Sequence, residues 1–281
     1  MHEQFIRVKG RSLRILTARH SEVAPWLVLW PGLGGAAEEF LRVLREGPEH
    51  GWNVAALDPP GHGRSEAWDT WSGDAVLSVW DGVLEAVGVS TDVVLGGHSA
   101  GAYDAILWAS CRSSCGGLVL LEGGYMDPFA EPIDIKEIHQ QNRSYLESRR
   151  FSSWDDFFAA EEESALRWDH DAEAMLRAQM IEANGEVYPR IEVKTANQVM
   201  DTLAQYHGDS LPIIPCRVLV AVATLPEAMA EVREASVAHL RTRIPQVEVV
   251  RIDQAGHDLL IDNPEAVSAA LWTFLSRTSD T

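Results

Sequence analysis

The stretch Val93-Val94-Leu95-Gly96-Gly97-His98-Ser99-Ala100-Gly101-Ala102 decides how this chain is read. Val93–Leu95 has the unbroken hydrophobicity of a strand buried on both faces. The segment Ala102–Cys111 that follows is helix-like. Between them Gly97-His98-Ser99-Ala100-Gly101 places a serine among small residues at a strand-to-helix turn. On such a turn the hydroxyl stands clear of the sheet edge, and the flanking glycines let strand and helix approach closely. The next backbone N–H, that of Ala100, lies at a helix N-terminus, where it meets the oxyanion formed when Ser99 attacks a carbonyl. Position in this context, rather than the short motif alone, marks Ser99 as a nucleophile.

Outward from this turn, apolar runs alternate with amphipathic segments. Leu13–Leu16, Trp26–Trp30, Val54–Leu57 and Leu118–Leu121 read as further strands. Glu38–Arg45 and Ala75–Val87 read as helices. The alternation predicts an α/β fold built on a doubly wound, mostly parallel sheet. It breaks after Glu122. Residues 124–211 carry helical signals at Ile133–Gln140, Trp154–Glu163 and Ala172–Glu182 and few strand signals. The rhythm resumes with the strands Val218–Val222 and Val247–Ile252 and the helices Glu227–Arg241 and Pro264–Ser276. The expected organisation is a core in two parts, residues 1–123 and 212–281, with a helical cap of residues 124–211 over the carboxyl edge of the sheet. In open α/β sheets ligands bind at that edge.

With 281 residues and 46% hydrophobic content, the chain can bury one large core plus a smaller inserted unit. Its longest apolar runs are far too short to span a bilayer, and the N-terminus MHEQFIRVKG has no apolar signal region. A soluble, cytoplasmic protein is expected. The formal net charge is −19, and the 124–211 segment, with 18 acidic and 8 basic residues, contributes −10 of it. Such a surface repels phosphate backbones and anionic lipid, which excludes nucleic acid as a partner. The three cysteines, Cys111, Cys115 and Cys216, read as reduced thiols rather than a disulfide framework or a metal site. The sequence carries no signal of oligomeric state.

Two more loops bear on the chemistry. Pro31-Gly32-Leu33-Gly34-Gly35 follows the strand Trp26–Trp30. A glycine-rich turn there supplies a second oxyanion donor, for which the Leu33 N–H is the candidate. Gln254-Ala255-Gly256-His257-Asp258 follows the last strand, from which His257 reaches a nucleophile at the same edge as general base. His62 and His98 sit in other motifs and read as structural, and Asp58 as a loop former.

Taken together, PGLGG at Pro31–Gly35, DPPGHGRS at Asp58–Ser65, GHSAG at Gly97–Gly101 and AGHDLLIDNPEAV at Ala255–Val267 resemble the α/β-hydrolase superfamily across nearly the whole chain. The resemblance implies a Ser–His–acid triad and no metal or organic cofactor. Pro31 stands where members of the family usually carry histidine, which leaves the backbone donor intact. Many members place the acid in Gly-x-x-Asp after the strand that follows the cap. Here that stretch is Val222-Ala223-Thr224-Leu225-Pro226-Glu227, without aspartate. Some relatives, among them one subgroup of haloalkane dehalogenases and the zearalenone lactonases, carry the acid after the strand before the cap, where Glu122 stands. The lactonases also show an Ala-Thr-x-x-Glu stretch similar to Ala223–Glu227. Glu122 is the expected acid and Glu227 the alternative.

The resulting expectation is a serine hydrolase cleaving a carboxylic ester or lactone of an apolar small molecule through an acyl-enzyme. Carbon–carbon bond hydrolysis of a diketone-like substrate and a non-catalytic small-molecule receptor are the competing readings. Trp154, Phe157, Phe158 and Trp168 either face an apolar substrate or pack the cap onto itself.

Overall fold

The architecture is that of a computed structural model, which describes residues 1–89, 93–112, 114–127, 134–205, 214, 216–244 and 246–277. Eight strands form one sheet in the order β1-β2-β4-β3-β5-β6-β9-β10. These are β1 (His2–Val8), β2 (Arg11–Ala18), β3 (Trp26–Trp30), β4 (Asn53–Leu57), β5 (Val93–His98), β6 (Cys115–Leu121), β9 (Arg217–Ala223) and β10 (Val247–Ile252). From β4 to β10 all neighbours are parallel, and β2 pairs antiparallel with both β1 and β4.

Period-two alternation sends each central strand's side chains to two separate cores. Val28, Trp30, Leu95, Leu118 and Val220 meet α2 (Gly73–Val87), α3 (Ala100–Cys111) and α8 (Ala230–Arg243) on one face. Leu27, Leu29, Val94, Val119 and Leu219 meet α1 (Leu41–Glu46) and α10 (Pro264–Ser276) on the other. Burial on both faces is why these strands read as continuous apolar runs. Local signals set the helix ends: the Ser72 side chain caps α2 through the Ala75 N–H, and Gly88 closes it at φ 80°.

Two elements depart from the expected pattern, for one physical reason. β1 pairs with β2 through the turn Lys9-Gly10, at φ 49° and 79°. A second hairpin, β7 (Met180–Ala183) with β8 (Glu186–Pro189), turns at Asn184-Gly185, at φ 55° and 79°. Positive φ at both central residues is the tight-hairpin signature for which Asn-Gly is the preferred pair. The helix expected over Ala172–Glu182 therefore ends earlier, as α6 (His170–Gln179), and the chain continues as β7. The rest of the segment between β6 and β9 is α4 (Ile135–Ser148), α5 (Trp154–Ser164) and α7 (Val193–Leu203). Ile133, the expected start of the first of these helices, and Leu211, the expected end of the cap, lie outside the described residues. Among the described residues no helix is long and apolar enough to cross a membrane. The three cysteines are thiols, and Cys115 Sγ lies 3.3 Å from Cys216 Sγ across β6 and β9.

The carboxyl ends of β3, β5, β6, β9 and β10 share one edge, and β3 sits where the winding reverses, between β4 and β5. Backbones meet closely there. A Cβ on Gly101 would lie 2.3 Å from the Trp30 carbonyl oxygen, and one on Gly97 would lie 2.2 Å from the Gly101 carbonyl carbon. Gly101→Ala should therefore destabilise the fold by about 1–3 kcal/mol despite alanine's better helix propensity, because backbone atoms must move. Urea denaturation of the purified variant measures this.

Candidate active site

Ser99 occupies the turn between β5 and α3 at φ 50° and ψ −119°, a region that L-residues rarely adopt. Its N–H donates to the Leu121 carbonyl of β6 at 3.0 Å. The turn lifts Oγ to 2.9 Å from Nε2 of His257. His257 stands in the loop between β10 and α9 (Leu259–Asp262), and the Asp262 carboxylate accepts the Gly256 N–H at 2.8 Å to hold that loop. Burial of the His257 imidazole lowers its pKa below the ordinary 6.5, and the charge of His98 adds to this against the opposing pull of Asp258 and Glu122.

Ala100 opens α3, so its N–H has no acceptor inside the helix. The Leu33 N–H likewise has no acceptor among the described residues. Leu33 and Ala100 lie in one apolar cluster with Tyr103 and with Val199, Met200 and Leu203 of α7. The segment between β6 and β9 thus rests on both candidate oxyanion donors. A cavity of about 110 Å³ opens beside Leu33 and Gly34, walled by Leu146, Phe157, Met180 and Ile191 with Asn142, Tyr145, Arg149 and Gln179 as polar groups.

Glu122 emerges at the same edge, buried to 1% exposure, with its own backbone at φ 41°. Arg233 of α8 donates to its Oε1 from Nε at 2.9 Å and from Nη2 at 2.7 Å. The Tyr125 hydroxyl, at 2.9 Å, and the Ala223 N–H, at 2.7 Å, donate to its Oε2. Four donors fill the four lone-pair directions of a carboxylate. The structure therefore brings Ser99 and His257 together but makes no hydrogen bond between Glu122 and His257. Nδ1 of His257 has no partner among the described residues. Glu227, in a short 3-10 turn, is exposed.

Asp58 accepts the N–H groups of Ala37 at 2.8 Å and Arg64 at 2.7 Å and pairs with Arg14, as a loop former does. Burial holds His62 neutral by lowering its pKa to about 4. Inside the inserted segment Phe158 stacks on Trp154 and meets Trp168 edge to face, and of the four aromatics only Phe157 reaches the cavity. Reading the sequence did not single out Arg233 or Glu39. Each is one charged residue in a helical stretch, with no local feature that announces its distant partner. Among the described residues no cluster of three or more His, Cys, Asp or Glu side chains is arranged to hold a metal ion.

A sequence model described as Alpha/beta hydrolase family matches residues 27–270. No curated protein sequence matches the chain significantly. Among solved structures, E-2-(acetamidomethylene)succinate hydrolase is similar at a TM-score of 0.77 and 15% identity, over 98% of this chain and 99% of that one. A thermophilic esterase from Thermogutta terrifontis, solved with malate bound, is similar at 0.71 and 22% identity, over 99% of each chain. The thioesterase domain from the curacin biosynthetic pathway is similar at 0.71 and 18%, over 98% of this chain and 99% of that one. At such identities the likeness is one of fold, and the family rests on the match that spans most of the sequence: the chain belongs to the alpha/beta hydrolase family.

Proposed function

We propose that this protein is a serine hydrolase that cleaves a carboxylic ester or lactone of an apolar small molecule through an acyl-enzyme. The observation that carries this reading is the 2.9 Å approach of Ser99 Oγ to His257 Nε2, with the serine held in a strained turn at the sheet edge. Oγ attacks the substrate carbonyl as its proton passes to Nε2. The N–H groups of Leu33 and Ala100 receive the oxyanion. The imidazolium returns the proton to the leaving alcohol, and water, activated by the same nitrogen, releases the acid.

Residues 124–211 act as a cap in this reading. The packing of α7 against Leu33 and Ala100 and the mostly apolar cavity beside them support it. That similar structures bear the names esterase, thioesterase and hydrolase supports acyl transfer as the chemistry.

Glu122 is the proposed acid. Its negative charge already favours protonation of His257. As the imidazole becomes a cation it is a stronger donor than the neutral Tyr125 hydroxyl, which is the partner Glu122 can exchange. Contacts of this kind tighten with substrate bound.

Single replacement of Ser99 by Ala or His257 by Gln should lower turnover by about 10⁴-fold or more, and the double variant should lose little beyond either. A panel of p-nitrophenyl esters, lactones and a diketone, run with the wild type and Ser99→Ala, checks both the nucleophile and the bond cleaved. Substantial ester turnover by Ser99→Ala would sink the reading.

Glu122→Gln should reduce turnover per folded molecule by about 10²- to 10⁴-fold, whereas Glu227→Gln should leave it nearly unchanged. The reverse order moves the acid to the loop after β9. Because the free base must be neutral, and burial and the His98 charge disfavour its imidazolium, the rising limb of kcat/KM should have its midpoint below the ordinary imidazole value of 6.5. A pH–rate profile with any hydrolysed ester measures it.

A further inference from the structure

Beneath the base lies a second histidine, and both its ring nitrogens face acceptors. Nδ1 of His98 is 3.1 Å from Oε2 of Glu39, and Nε2 is 2.9 Å from the backbone oxygen of His257. A neutral imidazole carries one N–H and donates once, so two donated bonds require the imidazolium. His98 is 5% exposed and Glu39 8%, so bulk water does not complete either contact. Burial disfavours the charged ring, but the hydrogen bond and charge of Glu39 outweigh it and raise the His98 pKa to about 9.

The same carboxylate oxygen of Glu39 accepts the N–H of Gly32 at 3.1 Å, and Gly32 immediately precedes Leu33. A Cβ on Gly32 would lie 3.1 Å from His98 Nδ1 and 3.3 Å from Ser99 Cβ, so this loop rests directly on the imidazolium and the nucleophile. One buried ion pair therefore holds the loop after β3, through Gly32, and the loop after β10, through the His257 carbonyl. Both bonds are charge-assisted, the stronger class of hydrogen bond.

We propose that Glu39 and His98 form a positioning pair for the reaction, aligning the oxyanion loop with the base loop across Ser99 and keeping a fixed cation behind the base. This rests on the serine-hydrolase reading above. Neither residue meets substrate, and each acts through a neighbour. The charged or titratable groups that face His98 are Glu39, from the 3-10 turn after β3, and His257 and Asp258, from the loop after β10. The two imidazole rings lie 5.1 Å apart between centroids, close enough for the His98 charge to oppose protonation of His257.

A fluorophosphonate probe tests the pair without knowledge of the substrate. Ser99 Oγ displaces fluoride at phosphorus, a P–O bond replaces P–F, and His257 takes the hydroxyl proton. The rate of labelling at Ser99, read by mass spectrometry from mildly acidic to alkaline pH, is compared for the wild type, Glu39→Gln and His98→Gln. Both variants should label about 10- to 100-fold more slowly at neutral pH, the effect of a small misplacement of reacting groups. In His98→Gln the rising limb should also move to higher pH, because the cation that opposed His257 protonation is gone while Glu39 remains. A purely structural role would not move that midpoint in folded protein. Folded variants with the wild-type rate and profile overturn the proposal alone, and failure of the wild type to label at Ser99 overturns the hydrolase reading and the proposal with it. Imidazole ¹⁵N shifts of the wild type give a readout that needs no variant. A doubly protonated His98 at neutral pH supports the pair, and a neutral one overturns it.

Discussion

Around Ser99 the backbones of β3, β5, α3 and the loop after β6 meet at hard-sphere distance, and the rest of the site is arranged about that meeting. A Cβ at Gly97, Gly101 or Gly123 would fall 2.2–2.3 Å from backbone atoms, the last of these on Ser99 itself. The packing leaves Ser99 at φ 50°, a conformation that costs on the order of 1–3 kcal/mol and persists because the strand, the helix and the Leu121 carbonyl all hold the residue in place. In return, the hydroxyl stands above the sheet, and the first N–H of α3 is left unpaired beside it. No flexible loop serine keeps those two groups in fixed relation.

Carboxylates, three of them buried, then fasten the loops at this edge to one another. Asp58 holds Ala37 and Arg64, Glu39 holds Gly32 and His98, Glu122 holds Ala223 and Tyr125, and Asp262 holds Gly256. Loops have no ladder of their own, so their buried N–H groups need acceptors, and an ionised side chain is the strongest acceptor present. Three of the four carboxylates also have a cationic partner, in Arg14, His98 or Arg233. Desolvation offsets much of the attraction in a buried pair. We read these pairs as devices of geometry more than of stability: each connects segments far apart in the chain at the edge where alignment matters. In a protein with 42 acidic residues against 23 lysines and arginines, Arg14 and Arg233 both lie under this one edge.

Much of the fold was legible because its signals are local. Strands covered on both faces must be apolar at every position, and a strand-to-helix turn this tight must carry small residues, so Trp26–Trp30 and Gly97–Gly101 announce themselves. The β1–β2 and β7–β8 hairpins went unread although Lys9-Gly10 and Asn184-Gly185 mark them. β1 is largely exposed and lacks an apolar run, and the four-residue strands of the second hairpin are too short to show alternation.

The residues alone determined which groups stand after which strand: Leu33 after β3, Ser99 and Ala100 after β5, Glu122 after β6 and His257 after β10. Parallel winding then brings all of them to one edge, because parallel strands end on the same side. Which groups bond to which was decided only by the tertiary structure. Glu122 meets Arg233 across 111 residues, His98 meets Glu39 across 59, and Cys115 faces Cys216 rather than Cys111. Such pairings depend on strand register and on how helices pack over the sheet, and neither backbone propensity nor hydrophobic period, which are properties of neighbouring residues, contains that information.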